Sequence, residues 1–328
     1  MELIKKENVT SLGKIINMLT KVEREEAIEP KVYLFFSVDF VNSTRYKTMN
    51  KEWSLVLRGF YDIIKSEIIK EINNIVVWKY AGDEVLFYLE IDSVNQLVTT
   101  PYDFYEGVMQ AQHELTEEFG GLEGSIYLKS SIWIAEISEF GRDSEAPERC
   151  RNISLALDEN MDLIDNKREE PVNIEFVGID IDEGFRMITN LATQNKLTLD
   201  PKVALIIYKN QEILEYEISQ GHLSKDVLDY IRIVGLEYLK GVWDGRAYPI
   251  IWMADSWDED RTFLYDEHLT NKFIETFDPN HPKSKLSYIS VIENDYRKLK
   301  IEVDNILMTI KKGKRRKKEQ NQESRESS

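Results

Sequence analysis

The chain has 328 residues, 42% of them hydrophobic, and a formal net charge of −17. That length and apolar content support a real core, as one large domain or one with a smaller appendage. The negative charge argues against nucleic-acid binding by the body as a whole, and the single cysteine, Cys150, excludes a disulfide framework or a cysteine-based zinc site.

No apolar run approaches a membrane span, and the N-terminal MELIKKENV lacks a signal peptide's apolar region, so a cytoplasmic protein is expected. In chain order, residues 1–29 predict a helical lead-in, with Leu12, Ile15, Ile16 and Leu19 at helical spacing. VYLFFSVDF follows as a buried strand, apolar almost throughout until Asp39. Asn42, Ser43 and Thr44 offer helix-capping side chains, and Trp53, Leu57, Phe60, Ile64 and Ile68 form an apolar helical stripe. VVWKYAGDEVLFYL reads as a hairpin turning at Gly82.

Residues 93–119 predict a long helix, broken or begun at Pro101, and SIYLKSSIWIAEI a long strand. GRDSEAPERCRN has the turn residues and charge of a surface loop. NIEFVGID predicts a strand, EGFRMITNLA the start of a helix, VALIIYK a strand and 211–219 a short helix. VGLEYLKGVWDGRAYPIIWM closes the core as two strands around Asp244-Gly245. The order implies an α+β sandwich, with helices packed on a mostly antiparallel sheet. After Met253 the chain is more charged, and residues 288–312 predict a long terminal helix. The segmentation is 1–29, a core of 30–253, a helical extension of 254–310 and a tail of 311–328. That tail opens with KKGKRRKK, seven Lys or Arg in eight residues, and is expected to be disordered, contact with RNA or anionic lipid being the alternative.

Two carboxylates carry the chemistry. Asp39 ends a buried strand and Asp83 sits in the hairpin turn. A strand, a helix and a return to an adjacent strand place them side by side. Hard cations such as Mg²⁺ or Mn²⁺ need few protein oxygens, because phosphates and water supply the rest. A pair of Asp side chains bridging two such ions serves in-line phosphoryl displacement. Ser43 and Thr44, opening the next helix, offer a phosphate seat. Taken singly, each Asp is equally a turn or helix-entry residue. The four histidines (His113, His222, His268 and His281) have no metal-ligand spacing, and no GxxxxGK[ST] loop is present.

The combination resembles the class III nucleotidyl cyclases, in which a metal Asp follows a buried strand, a second follows Gly in a hairpin, and a later Asn-x-x-x-Arg stabilises the transition state. The corresponding stretch is IEFVGIDIDEGFR, where Gly178 and Arg186 match and Asp182 stands in place of the usual Asn. An ionised Asp only accepts hydrogen bonds, which alters the ribose-orienting role of that position. Arg186 keeps a fixed positive charge for the α-phosphate. Lys79 and Glu175 fit the family's base-recognition pair, and Lys240 a late phosphate-contacting Lys-Gly, with a solvated lysine as the alternative. Phe36, in the strand that delivers Asp39, joins the substrate-binding set, and the Phe40 carbonyl is a family-implied third metal ligand.

FFSVDFVNST, YAGDE, FVGIDIDEGFRM and LKGVWDGRAYPIIW resemble, more particularly, the Pycsar pyrimidine cyclases of antiphage defence. The resemblance implies a class III cyclase-type sandwich that makes cyclic UMP from UTP, or cyclic CMP from CTP, with two Mn²⁺ or Mg²⁺ ions. It also implies a head-to-tail homodimer with composite sites, and a downstream effector that senses the product. An adenylate cyclase is one alternative, since the base-recognition pair does not exclude ATP, and two further readings compete. YAGDE is close to the GGDEF turn of diguanylate cyclases, though Ala81 replaces a Gly and that family does not need the DEGFR motif. A catalytically inactive nucleotide-binding regulatory domain is the other.

Overall fold

In the computed structural model, the described residues are 30–49, 51–119, 127–139, 151–157, 173–221, 231–243, 247–254, 267–268, 298–314 and 316. The predicted lead-in helix, the loop around Cys150, the Asp244-Gly245 turn and the chain end beyond 316 lie outside them. The chain divides into two compact units, 31–136 with 179–328, and 1–30 with 137–178.

The larger unit opens with β1 (Lys31–Phe40) and two helices, α1 (Ser43–Met49) and α2 (Trp53–Glu71). The hairpin follows as β2 (Val76–Ala81) and β3 (Glu84–Glu90), joined by a two-residue turn that Gly82 enters at φ 69°. Positive φ at the first turn residue is what glycine permits and what matches the twist of the flanking strands. Next come α3 (Val94–Glu118) and β4 (Leu128–Glu139), whose end belongs to the smaller unit, and then α4 (Ile179–Leu191) and β7 (Leu197–Leu199). The unit continues with α5 (Pro201–Lys209), α6 (Gln211–Ser219), β8 (Ile231–Glu237), β9 (Tyr248–Met253), β10 (Glu267–His268) and α7, residues 298–314. The smaller unit holds β5 (Asn152–Leu157) and β6 (Asn173–Gly178), paired antiparallel, with β5 parallel to the end of β4.

The strand order of the larger unit is β10-β8-β9-β7-β4-β1-β3-β2, with every recorded pair antiparallel except β4–β7. This is the mostly antiparallel α+β arrangement expected. One face of the sheet carries Leu34, Phe36, Val38, Val85, Phe87, Ile132 and Ile134, packed against the apolar stripes of α2 and α3, against α5, and against Leu299, Val303, Ile306 and Ile310 of α7. The other face carries Phe35, Trp133 and Leu86 and is covered by α4, whose Phe185 ring lies 6.0 Å from that of Trp133. α7 is tied in by Thr309 to Glu136 (2.6 Å) and Lys209 to Asp304 (3.0 Å). The helix runs through Lys314, so the first part of the basic run is helical rather than disordered. No described helix is long and apolar enough to cross a membrane.

Three predicted elements differ from the sequence reading, and β5, β7 and β10 have no counterpart in it. VALIIYK is α5, not a strand. Asp200 caps it by accepting the Lys202 N–H (2.7 Å), and Pro201 sits in its first turn. An all-apolar run fits either structure, and the cap decides. α3 passes through Pro101 unbroken, because it starts earlier, where the Ser93 hydroxyl accepts the Gln96 N–H (3.2 Å). Burial of Leu97, Val98, Tyr102, Phe104 and Tyr105 outweighs the hydrogen bond that proline deletes. The strand 173–180 ends at Gly178, and Asp180 belongs to the first turn of α4.

Candidate active site

β1 and β3 are antiparallel and in register from Tyr33↔Glu90 to Asp39↔Glu84. That pairing brings the end of β1 to the Gly82-Asp83 turn, and the Phe40 N–H donates to the Asp83 carbonyl (3.1 Å). The Asp39 and Asp83 carboxylates thereby line one open cavity of ≈370 Å³, together with Phe40, Ser43, Thr44 and Lys129. Each has a local partner. Asp39 receives the Lys129 ammonium at 2.8 Å, and Asp83 accepts the Ser43 hydroxyl and has Lys47 at 3.9 Å. Burial pushes the Asp39 carboxyl above the usual carboxylate range, and the Asp83 charge adds to the rise while Lys129 opposes it. Tyr61 of α2 donates its hydroxyl to the Gly82 carbonyl and so holds the turn from the helix side.

Glu84 shares this neighbourhood. Directly paired residues project to one face, so Glu84 lies on the Asp39 side of the sheet rather than facing away from it. It accepts the Ser37 hydroxyl, and its carboxyl is raised, first by burial and further by the Asp39 and Asp83 charges.

Phe36 belongs to the core instead. It is fully buried on the helix-packed face, 4.8 Å from the Phe104 ring, and does not line the cavity.

A second set of residues gathers on α4. Asp182, Phe185, Arg186 and Thr189 form its less buried stripe, while Asp180, Ile181, Glu183, Gly184, Met187, Ile188 and Leu191 face inward. Lys79 reaches this stripe through an irregularity in β2. Val77 pairs with Phe87 but Lys79 with Leu86, so Trp78 is the extra residue of a bulge. Unbroken alternation would aim Lys79 at the helix-packed face; the bulge turns it to the α4 side. Its ammonium lies 4.1 Å from the Trp78 ring and 5.6 Å from the Phe185 ring. Arg186 packs beside Gly241, where an added Cβ would sit 3.8 Å from the guanidinium, and Lys240 is the exposed residue before it. None of Lys79, Asp182, Arg186 or Lys240 lines the carboxylate cavity. Glu175 is in β6 of the smaller unit, paired with Leu155.

The donor set suits a hard cation that substrate helps to hold. Two carboxylates and the Phe40 main chain share the cavity, and among the described residues no group of three or more His, Cys, Asp or Glu is placed to hold a metal ion by itself. Phosphate and water oxygens must then complete any coordination shell. Sequence reasoning missed Lys129 because it looks like an ordinary out-facing residue of an alternating strand. Its value appears only once β4 is seen to neighbour β1.

No family model and no curated protein matches the chain. Among solved structures it is similar to the adenylyl cyclase CyaB from P. aeruginosa, with 12% identity over 70% of this chain and 97% of that one (TM-score 0.44). It is similar also to the guanylate cyclase domain of RhGC from Catenaria anguillulae in complex with GTP, with 12% identity over 68% and 96% (TM-score 0.43). A third is the guanylyl cyclase Cya2, with 9% identity over 73% and 98% (TM-score 0.44).

Proposed function

We propose that the chain is a pyrimidine nucleotidyl cyclase that converts UTP to 3′,5′-cyclic UMP and pyrophosphate, a signal for a nucleotide-sensing effector in antiphage defence. The observation that carries the reading is the meeting of Asp39 and Asp83 on one cavity through the β1–β3 register. In the reaction the ribose 3′-oxygen forms a bond to the α-phosphorus. The bond from that phosphorus to the bridging oxygen breaks, pyrophosphate leaves with the electron pair, and the hydroxyl proton passes to solvent.

Asp39, Asp83 and the Phe40 carbonyl would hold divalent cations, two Mn²⁺ or Mg²⁺, whose charge when bound favours ionisation of the attacking hydroxyl and offsets that of the triphosphate. Ser43 orients Asp83 by hydrogen bond, and Lys129 both holds Asp39 and offers positive charge at the cavity wall. Thr44 lines the same wall. Arg186 supplies a permanent charge to the α-phosphate as negative charge builds there, Asp182 accepts from the ribose, and Lys240 contacts phosphate. Lys79 reads the edge of the base, where uracil and cytosine differ by exchange of a donor for an acceptor.

That the α4 residues do not line the carboxylate cavity supports a head-to-tail homodimer, in which the carboxylates of one copy meet Arg186 of the other. The test is incubation with each of the four nucleoside triphosphates and Mn²⁺, with products identified by mass. Cyclic UMP is expected. Cyclic CMP alone moves the substrate to CTP, and cyclic AMP alone overturns the pyrimidine assignment. A dinucleotide overturns the mononucleotide cyclase reading, and no product from any of the four favours the regulatory domain. Mixing Asp83→Ala with Arg186→Ala is expected to recover activity that neither has alone; no recovery places the site within one copy.

A further inference from the structure

Beneath α4 lies a buried charge cluster that takes no direct part in the chemistry above. Lys202 is only 3% exposed, and its ammonium donates to Asp180 at 2.8 Å and lies 3.6 Å from Asp200 and 4.0 Å from Glu183. Asp180 and Glu183 are the inward residues of the first turns of α4, three apart and on one face. Asp200 accepts the main-chain N–H groups of Lys202 (2.7 Å) and of Ile134 in β4 (3.3 Å). A continuous path of charged and hydrogen-bonded groups therefore runs from the main chain of the central sheet, through Asp200 and Lys202, to α4. Further along the helix, Gly184 rests on the Trp133 indole and the Leu191 carbonyl accepts the Trp252 indole N–H at 3.1 Å.

Apolar packing holds a helix on a sheet but tolerates small slides and rotations, because dispersion contacts carry little directional preference. Charge-assisted hydrogen bonds are short and directional. A leucine at 180 or 183 would seat the helix equally well; a lysine-bridged pair of carboxylates also sets where along its axis it sits. The residues fixed by that setting are the outward ones, Asp182 and Arg186.

We infer that Lys202, with Asp180, Asp200 and Glu183, is a positioning clasp that sets the axial register of α4 and so the reach of Arg186. The catalytic half of this inference rests on the cyclase reading. The cluster carries three acids to one lysine, so Asp180→Asn lowers its net negative charge while keeping the side chain's shape, and the variant is expected to fold. It weakens the link to Lys202 and frees α4. Asp180→Glu keeps the charge but lengthens the arm by one methylene, closing the clasp on a displaced helix.

Both variants of the full chain are compared with wild type by hydrogen exchange of the peptide spanning 179–191 and by steady-state kinetics with the triphosphate that wild type converts. Asp180→Asn is expected to speed exchange in α4 by about tenfold and leave β1 and β3 unchanged. Both are expected to lower kcat, by about tenfold to a hundredfold for a displacement near 1 Å, with KM within about twofold of wild type. A purely structural contact would lower the melting temperature without that split. Unchanged α4 exchange in Asp180→Asn overturns the clasp, and unchanged kcat in Asp180→Glu overturns its link to Arg186. Wild-type protein that forms no cyclic product overturns the cyclase reading and the catalytic half with it, leaving the exchange result to decide the clasp.

Discussion

Gly184→Ala gives a direct measure of how closely α4 lies on the sheet. A Cβ added at Gly184 would fall 2.4 Å from Cε2 and Nε1 of Trp133 and 2.5 Å from Cδ2. Ordinary carbon contacts are about 3.5–4.0 Å, so a gap of about 1 Å must open. The indole cannot easily retreat, since it is 1% exposed and stacks on Phe35 at 5.4 Å with an interplanar angle of 18°. The helix therefore moves. Overpacking of this kind costs about 1–3 kcal/mol, against which alanine's better helix propensity returns roughly 1 kcal/mol. Net destabilisation of up to about 2 kcal/mol is expected, read as a lower urea midpoint at unchanged m-value. On the proposed cyclase function, with Arg186 two residues away on the same helix, kcat is expected to fall by up to about a hundredfold. A variant as stable and as active as wild type would refute the close approach and the reasoning built on it.

Glu183 titrates near pH 7, pushed up from 4.5 chiefly by burial, with Asp200, Asp180 and Glu302 of α7 raising it further and Lys202 opposing. Between about pH 4.5 and 7 the folded state then binds more protons than the unfolded state, so this residue's contribution to stability falls as pH rises through that window and levels off above it. Glu183→Gln should remove about 2 to 3 kcal/mol of the decline between pH 5 and 8, measured by urea unfolding at both values; parallel pH profiles would count against it. Tyr61→Phe removes the hydroxyl that the Gly82 carbonyl accepts while keeping the ring 4.9 Å from Tyr80. It should cost about 0.5–1.5 kcal/mol and speed amide exchange in the β2–β3 turn, whereas unchanged exchange would show that the turn needs no brace.

How far the site was legible depends on whether a feature is local. The hairpin turn at Gly82-Asp83 and the buried strand ending at Asp39 follow from residue types within a few positions of each other, and both elements stand where the pattern placed them. The outward stripe of α4 was readable in part, since Asp182 and Arg186 are four apart on a helix. The place of Glu84 beside Asp39 is not legible in the sequence, because its face depends on which β1 residue it opposes, and register is a property of two strands. Lys79 reaches α4 only through the Trp78 bulge, which nothing in VVWKYA announces. The start of α5 is legible in Asp200-Pro201, a helix start signal, whereas the apolar run after it fits a strand as well as a helix. The burial of Lys202 is not legible in the sequence, because a lysine opening a helix normally points to solvent, and only the three acids around it make burial tolerable.

The unbroken register from Tyr33 to Asp39 also bears on how such a chain can change over generations. Side chains alternate across a strand, so deleting one residue between Phe36 and Asp39 would put Asp39 on the helix-packed face and an apolar neighbour at the cavity. The same deletion between Met49 and Trp53, where α1 gives way to α2, shifts no paired residue. Length variation among descendants of this sequence should therefore accumulate in the crossover between the two carboxylates and be purged from the strands that hold them. The spacing from Asp39 to Asp83 is free to drift, while the parity of each within its strand is not.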